Sequence, residues 1–316
     1  MKINFIDTVH PVLSTRLTVA GHTCEDLSER TGDEFFAQLH DSQGLVVRSR
    51  VLDAATLDHA PKLKFIARCG AGMENIDQAY CAKRGISLYS SPEGNRGAVA
   101  EHAVGMLLAL MNKMPKADRE VRQGIWDRKT NSGSELGGST VGIIGFGQMG
   151  TAFAHRLQGF DVKVLAHDKY RHGFANEQVE EVALDELLER SDVISLHLPL
   201  TAETDHYANA GFFERCEKPV WFINTARGPL TDTAALLDAI DAEKVRGACL
   251  DVLEFEERTL LGLNAEQENP VLKRLYANEK VLLSPHVAGL TAESYFKLAN
   301  VLADKILNDF ANGKLS

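Results

Sequence analysis

The sequence predicts an α/β fold in which two doubly wound parallel sheets form two domains. Near-continuous apolar runs of strand length alternate with helical stretches, a pattern typical of parallel sheets covered by helices on both faces. The runs form two series, separated by a polar, glycine-bearing stretch at 119–138. The length of 316 residues also favours two domains, because one core rarely grows beyond about 250–300 residues.

The first series lies at the start of the chain. Its predicted strands are KINFID (2–7), GLVVRS (44–49), KFIARC (64–69) and ISLYS (86–90). A helix rich in Ala, Leu and Met is predicted at 95–113. The polar stretch that follows it is a poor core, which favours an arm or a linker.

The second series contains six predicted strands: TVGIIGF (140–146), VKVLAH (162–167), DVISLH (192–197), VWFINT (220–225), RGACLDV (246–252) and KVLLSP (280–285). Predicted helices between them include 148–158, 184–190 and 233–242. A last helix at 291–311 has an apolar face, which we expect to pack on the first domain; the face comprises Phe296, Ala299, Leu302, Ile306 and Phe310. The predicted domains are therefore 1–95 with 286–316, and 96–285.

Composition excludes several classes of protein. A formal net charge of −10 argues against a nucleic-acid partner. The five cysteines include no CxxC pair, so we expect no metal site and no disulfide framework. The most apolar helix has only 103–111 free of charge, far below the ~20 residues of a membrane span. Asp7 also interrupts the region that a signal peptide would need, and we expect a soluble cytoplasmic protein without membrane contact.

A glycine motif opens the second series. Gly145, Gly147 and Gly150 form a GxGxxG sequence between a predicted strand and a predicted helix. The first glycine allows a tight turn, the second lets the backbone approach a pyrophosphate, and the third permits close helix packing. Gln148 and Met149 open the helix, whose N-terminal N–H groups favour phosphate. The motif predicts a dinucleotide site.

Asp168 indicates which dinucleotide would bind. It lies at the end of the next strand, where a carboxylate can accept a hydrogen bond from the ribose 2′-hydroxyl and would repel a 2′-phosphate. The position therefore favours NAD over NADP. Lys169 and Arg171 follow directly and could weaken this preference.

Three ionisable residues follow later strands: Arg227, Glu256 and His286. Ligands of doubly wound sheets bind beyond the carboxyl ends of strands, so these side chains are candidates for catalysis. Spacing alone does not separate Glu256 from Glu254 or Glu257. Taken singly, each of the three also fits an ordinary structural or surface role.

The three residue types suit hydride transfer to a 2-oxo acid. The carbonyl oxygen gains alkoxide character in that reaction, and a histidine can supply its proton near neutral pH. A glutamate on the other ring nitrogen would orient the imidazole, and an arginine can hold the substrate carboxylate in a two-point fork.

The chain resembles the D-isomer-specific 2-hydroxyacid dehydrogenases from Gly44 to its C-terminus, and within them the phosphoglycerate dehydrogenases most closely. The motifs that carry the resemblance are VVRSR (46–50), ARCGAGMENID (67–77), SPEGN (91–95), AEHAVGMLLAL (100–110), GIW (124–126), VGIIGFGQMG (141–150), LHLPLTAET (196–204), INTARGPL (223–230), ACLDVLEFE (248–256) and SPHVAGLT (284–291). The resemblance implies a flavodoxin-like substrate domain, a Rossmann NAD-binding domain and a homodimer joined through 96–138.

The resemblance also implies roles for individual residues. Arg227 would bind the substrate carboxylate, His286 would be the acid/base, and Glu256 is chosen over its neighbours as the partner of His286. Further cofactor positions implied by the family are Pro199, Thr204, Thr225, Ala226, Asp251 and Gly289. Implied substrate positions are Arg48, Ser49 and Arg50, with the two arginines facing a phosphate, the backbone of Ala71 and Gly72, and Asn95.

We expect the substrate to be a small anionic acid, with 3-phosphoglycerate and 3-phosphohydroxypyruvate of serine biosynthesis favoured. A glyoxylate or hydroxypyruvate reductase is the enzymatic alternative, and a corepressor-like protein that senses NAD without turnover is the other.

Two departures from the family stand out. Glu257 replaces a common proline before an unusual stretch at 258–269, and the chain stops at Ser316, where we expect no regulatory domain and no serine feedback.

Overall fold

The computed structural model describes residues 1–257, 262–263 and 269–315. The chain divides into two compact units. The first comprises residues 1–95 and 290–315 with Glu257 and Gly262, and the second comprises 96–256 and 269–289 with Leu263. Each unit contains one sheet, and every pairing between named strands is parallel. The predicted fold class is confirmed.

The sheet of the first unit has the strand order β2-β1-β3-β4-β5. Its strands are β1 (Lys2–Phe5), β2 (Thr23–Asp26), β3 (Gly44–Val47), β4 (Phe65–Arg68) and β5 (Ser87–Tyr89). The sequence predicts all of them except β2. This strand reads TCED and has no fully buried residue, because it lies at the sheet edge.

Four helices connect these strands: α1 (Val12–Val19), α2 (Gly32–Leu39), α3 (Ala54–Asp58) and α4 (Gln78–Arg84). Val46 and Phe65 belong to one apolar cluster, and Leu45 and Ile66 belong to another. Because neighbouring strand residues point to opposite faces, the sheet is buried on both sides.

The long helix α5 (Pro92–Met111) begins in the first unit and continues into the second. It starts before the predicted residue 95, since proline is well suited to a first helical turn. Lys113 has a left-handed φ of 52° and separates α5 from α6 (Met114–Arg122). The predicted helix at 95–113 thus corresponds to α5, whereas the prediction of a polar arm or linker from 119 is wrong at its start, because α6, which has proline in its first turn, continues to Arg122.

The sheet of the second unit has the strand order β12-β11-β10-β9-β6-β7-β8. Its strands are β6 (Thr140–Ile144), β7 (Lys163–His167), β8 (Val179–Glu181), β9 (Val193–Leu196), β10 (Val220–Asn224), β11 (Val245–Leu250) and β12 (Val281–Leu283). Only the edge strand β8 lacks a predicted counterpart. The order reverses between β6 and β9, and this switch leaves a crevice at the carboxyl ends of the strands.

Five helices of the described residues lie between these strands in the chain, and α5 also packs on the sheet. The five are α7 (Gln148–Arg156), α8 (Leu184–Arg190), α9 (Ala210–Glu214), α10 (Thr233–Asp241) and α11 (Pro270–Ala277). Ile143 and Ile223 pack in one apolar cluster, whereas Ile144 and Phe222 pack in another. Both faces of the sheet are therefore covered, as the continuous apolar strands predict.

The last helix, α12 (Ala292–Ala311), packs against α1 in the first unit, where Arg16 bonds to Asn300 and Asp304. Phe296 was expected in its buried face but is 43% exposed, because it lies beside the buried stripe that Leu298 and neighbouring residues form. The chain returns to the first unit at Leu290 rather than at the predicted residue 286. No helix in the described part of the chain is long and apolar enough to cross a bilayer.

Candidate active site

The loop between β6 and α7 has the geometry that its glycine motif predicts. Gly145 has a φ of 91°, and a Cβ there would lie 2.5 Å from the carbonyl oxygen of His197. A Cβ on Gly150 would lie 2.1 Å from the carbonyl oxygen of Gly145. Gly147 faces open space and precedes α7 without a side-chain cap, so the N–H groups that begin at Gln148 and Met149 fit a pyrophosphate.

Asp168 follows β7 and closes the other side of this loop. Its Oδ2 accepts the N–H of Phe146 at 2.8 Å, and its Oδ1 accepts those of Tyr170 and Arg171 at 2.9 and 3.0 Å. Burial acts to raise the pKa of Asp168, but these N–H bonds outweigh it and leave the pKa below its ordinary value. A carboxylate accepts about four hydrogen bonds, so Oδ2 keeps room for a ribose hydroxyl.

The two basic residues after Asp168 are engaged within the protein. Lys169 forms an ion pair with Glu203, and the Arg171 guanidinium donates to the carbonyl oxygen of Phe146. Tyr170 also donates to Glu203, at 2.6 Å. These contacts restrain both cations and therefore favour NAD, the cofactor that carries no 2′-phosphate.

Other predicted cofactor residues lie at the carboxyl ends of β9, β10 and β12. Thr204 donates its hydroxyl to the carbonyl oxygen of Pro199 at 2.6 Å and shapes the exposed loop after β9. Thr225 is 8% exposed, and its buried Oγ1 has no hydrogen-bond partner among the described residues. Such an orphaned hydroxyl fits a polar ligand group. Ala226 and Gly289 are half-buried.

Asn224, the last residue of β10, organises the turn that carries Arg227. Its Nδ2 donates to the Arg227 carbonyl oxygen at 2.9 Å and to Thr231 Oγ1 at 3.0 Å, while its Oδ1 accepts the Ala226 N–H at 3.0 Å. Asn224 is fully buried, so these bonds satisfy a polar side chain that water does not reach. The half-buried Arg227 guanidinium contacts the Ala226 carbonyl oxygen at 2.6 Å.

Close packing joins this turn to the loop after β11. A Cβ on Gly228 would lie 1.8 Å from the carbonyl oxygen of Leu253, so only glycine allows this approach. The N–H of Leu253 in turn donates to Oε1 of Glu256 at 2.6 Å. The residue after Arg227 therefore rests on the segment that holds Glu256.

Glu256 and His286 form a direct pair. Glu256 Oε2 lies 2.7 Å from His286 Nδ1, and the side chains of His286 and Glu256 are 24% and 15% exposed. Glu254 instead bonds to His206 and to the N–H of Thr233, at 2.9 and 3.0 Å. The structure thus shows that Glu256, and not Glu254, is the partner of His286, a distinction that spacing alone does not make.

His286 sits in a strained loop that Asp251 holds. His286 has a left-handed φ of 53°, and its N–H donates to the Asp251 carbonyl oxygen at 2.7 Å. The Asp251 carboxylate, 1% exposed, accepts the N–H groups of Val287 and Ala288, both at 2.9 Å. Asp251, predicted to lie near the cofactor, therefore shapes the histidine loop.

Two further residues of this network were not predicted as site residues. Ser284 Oγ donates to Asp251 Oδ1 at 2.6 Å, and His102 of α5 lies 2.9 Å from Ser284 Oγ. Both lie within motifs that carry the family resemblance. Ser284 could have been found from the sequence, because it is a polar residue two positions before the candidate catalytic histidine. The spacing of the sequence gives no such indication for His102.

In the first unit, Asp7 determines the shape of the 48–50 segment. Its Oδ2 accepts the N–H groups of Arg48, Ser49 and Arg50 at 2.7, 2.8 and 3.0 Å. The Arg50 guanidinium lies 3.6 Å from Asp7 Oδ1, donates to the Arg30 carbonyl oxygen and sits 4.9 Å from the ring centre of Phe35. Arg50, a predicted phosphate ligand, is thus engaged within its own unit.

The remaining substrate candidates also lie in this unit. Arg68 was not predicted as a site residue; its Nε donates to the Arg48 carbonyl oxygen at 3.1 Å, and its guanidinium lies over Gly70. Ala71 and Gly72 are half-buried in the following turn. Asn95 Oδ1 is buried without a partner among the described residues.

The segment of unusual sequence lies largely outside the described residues, at 258–261 and 264–268. Glu257, the residue that replaces the family's proline, donates its N–H to the carbonyl oxygen of Gly262 at 3.0 Å. Within the described ranges, no group of three or more His, Cys, Asp or Glu side chains is arranged to hold a metal ion.

Comparison with known proteins identifies the family. Residues 104–288 match the family model described as D-isomer specific 2-hydroxyacid dehydrogenase, NAD binding domain. D-3-phosphoglycerate dehydrogenase of Archaeoglobus fulgidus is 38% identical over 87% of this chain, which spans only 51% of that relative. Glyoxylate reductase of Thermofilum pendens is 36% identical over 87% of this chain and 80% of its own length. The structure of an Aquifex aeolicus D-lactate dehydrogenase with NAD and lactic acid superposes with a TM-score of 0.83 at 29% identity, covering 100% of this chain and 96% of that one. The chain belongs to the D-isomer-specific 2-hydroxyacid dehydrogenase family.

Proposed function

We propose that the chain is an oxidoreductase that transfers a hydride between NAD(H) and C2 of a small D-2-hydroxy acid. The observation that carries the proposal is the 2.7 Å contact between Glu256 Oε2 and His286 Nδ1, beside the turn of Arg227. The three residues follow β10, β11 and β12, which are neighbours in the sheet. Bound NAD(H) would supply or accept the hydride.

The side chains divide the remaining chemistry. Arg227 binds the substrate carboxylate with paired hydrogen bonds. His286 donates Nδ1–H to Glu256, so Nε2 is the nitrogen that gives a proton to the carbonyl oxygen during reduction and removes it during oxidation. The negative charge of Glu256 stabilises the protonated imidazole and keeps its plane oriented.

For the substrate we favour 3-phosphoglycerate and 3-phosphohydroxypyruvate. Residues 1–95 with the C-terminal helix would bind the substrate, and residues 96–285 would bind NAD. Arg48 and Arg68 lie on neighbouring strand ends of the first unit, and their charges suit a phosphate. The orphaned Asn95 Oδ1 and the half-buried turn at Ala71 and Gly72 supply further polar groups.

A glyoxylate or hydroxypyruvate reductase is the second candidate, and the contacts of Arg50 favour it. If Asp7, Arg30 and Phe35 retain that guanidinium, one of the two predicted phosphate ligands is lost.

A homodimer joined through 96–138 is part of the proposal. Met114, Val121, Ile125 and Trp126 are 55%, 52%, 46% and 79% exposed. Apolar side chains grouped in one segment are typical of a protein interface. The cytoplasmic location expected from the sequence stays a prediction.

The decisive experiment is a steady-state comparison of phosphohydroxypyruvate, hydroxypyruvate, glyoxylate and pyruvate with NADH and with NADPH. The proposal expects NADH-dependent reduction, fastest in kcat/KM with phosphohydroxypyruvate. A preference for glyoxylate or hydroxypyruvate would select the second candidate. Tight NADH binding without turnover of any acid would instead indicate a corepressor-like sensor and refute the proposal.

A further inference from the structure

Helix α5 directs a second histidine toward the loop that carries His286. His102 Nε2 lies 2.9 Å from Ser284 Oγ and 3.5 Å from Asp251 Oδ1. The side chain of His102 is 28% exposed, whereas that of Asp251 is 1% exposed. The imidazole thus stands between solvent and a buried carboxylate.

Which atom donates in each of these hydrogen bonds follows from the number of protons that Asp251, Ser284 and His102 carry. Burial acts to raise the pKa of Asp251, but bonds from His102, Ser284, Ala288 and Val287 outweigh it and leave the pKa below its ordinary value, so the carboxylate only accepts. The Ser284 hydroxyl has one proton, which it donates to Asp251 Oδ1 at 2.6 Å. Its oxygen therefore accepts a hydrogen bond from the Nε2–H of His102. Met106 Sδ, 3.5 Å away, is a much weaker acceptor.

The chain of bonds ends at the backbone of His286 and of the two residues that follow it. Asp251 accepts the N–H of His286 through its carbonyl oxygen and those of Val287 and Ala288 through its carboxylate. His286 itself has the left-handed φ of 53°, an uncommon conformation for a residue other than glycine. The orientation of the Ser284 and Asp251 side chains thus affects the orientation of the His286 imidazole.

We propose that His102 is a positioning residue for the reaction, acting through Ser284 and Asp251 to hold His286 against Glu256. This inference rests on the proposed function. His102 touches neither reacting atoms nor His286 directly. Its contribution is to donate one directed hydrogen bond, which no aliphatic residue on α5 could replace.

The test compares three variants of the full chain in steady-state kinetics with NADH. His102→Leu removes the donor, His102→Gln keeps an N–H donor at similar reach, and His40→Leu changes an exposed histidine of the first unit. We expect His102→Leu to lower kcat about tenfold, the usual effect of losing one directed hydrogen bond to a network that includes a charge. We expect KM to change less than about twofold, His102→Gln to recover most of kcat and His40→Leu to match wild type.

A double-mutant cycle with Ser284→Ala tests the route. If His102 acts through Ser284, the double variant loses no more kcat than Ser284→Ala alone. Additive losses, an unchanged kcat in His102→Leu, or failure of the glutamine variant to recover activity would each overturn the inference. If His102→Leu does not fold, the glutamine variant and Ser284→Ala still decide it, since wild-type kcat in Ser284→Ala also refutes it. Absence of turnover in the wild type would instead refute the proposed function, and this inference with it.

Discussion

Replacing Glu256 with glutamine isolates the charge of the candidate catalytic pair without changing its size. The N–H of Leu253 donates to Oε1 at 2.6 Å, and this contact would retain the oxygen of the new amide. The amide nitrogen would then face His286 Nδ1, where Oε2 now lies at 2.7 Å. The amide N–H and the Nδ1–H of His286 would both be donors facing each other, unless Nδ1 lost its proton.

The size of the effect follows from this mismatch. A hydrogen bond to a charged group contributes about 1.5–3 kcal/mol, and Glu256→Gln removes it while opposing protonation of the imidazole. General acid catalysis by a positioned side chain is worth about 10²–10⁴-fold. Because His286 itself remains, we expect kcat to fall by about 10–150-fold, the rate equivalent of about 1.5–3 kcal/mol, with the Kd of NADH nearly unchanged because the glycine loop and Asp168 are untouched.

The assay measures NADH oxidation at saturating 2-oxo acid and NADH binding by fluorescence titration. Glu254→Gln is the matched control, because this carboxylate lies two residues away and bonds to His206 and Thr233 instead. The control should retain kcat within about threefold, as expected for a partly exposed ion pair. Wild-type turnover in Glu256→Gln, or equal losses in both variants, would refute the assigned roles.

Three further predictions concern other parts of the chain. Arg48→Ala should raise the KM for phosphohydroxypyruvate about tenfold or more and leave the KM for glyoxylate unchanged. Arg50→Ala should instead mainly lower the melting temperature, by a few degrees. If Arg48→Ala changed the KM of both substrates equally, the result would argue against a phosphate site. Burial lowers the pKa of His197 to about 4, so the unfolded chain binds a proton below pH 6.5 while the folded chain does not. The free energy of unfolding should therefore drop by up to about 3 kcal/mol between pH 6.5 and 4, and His197→Gln should lose this component in urea titrations; identical pH dependence would contradict it. Trp126→Lys should shift the chain from dimer to monomer in light scattering, because the exposed indole would no longer bury apolar surface; an unchanged mass would contradict the proposed interface.

The sequence predicts every strand that has a continuous apolar run, including the edge strands β5 and β12, and misses the two edge strands that lack one. Central strands such as β10 must be apolar throughout, because helices cover each side. β2 and β8 are half-exposed and short, so their composition does not differ from that of a loop. Helix α6 was also missed, since its sequence is mostly polar and it has no buried residue.

The candidate site was predictable where strand ends determine it and unpredictable where loops do. The order of β10, β11 and β12 brings Arg227, Asp251 and His286 to one edge, as alternating strands and helices imply. The choice of Glu256 over Glu254 came from family resemblance alone. Loop contacts determine it physically, above all the close packing of Gly228 on Leu253, where a Cβ would lie 1.8 Å from the Leu253 carbonyl oxygen, and spacing does not reveal such contacts.

The contrast between Arg50 and Arg227 shows why a charged residue at a strand end is not by itself a ligand site. Both arginines follow buried strands, and both suit an anion. In the 48–50 segment, Asp7 accepts three consecutive N–H groups and also faces the Arg50 guanidinium, so a carboxylate of the protein already pairs with this arginine. In the turn of Arg227, an uncharged amide, Asn224, forms the corresponding backbone bonds. Asn224 thus carries no negative charge that would compete with a substrate carboxylate for the Arg227 guanidinium. This difference makes Arg227 a stronger candidate than Arg50 for binding an anionic substrate group.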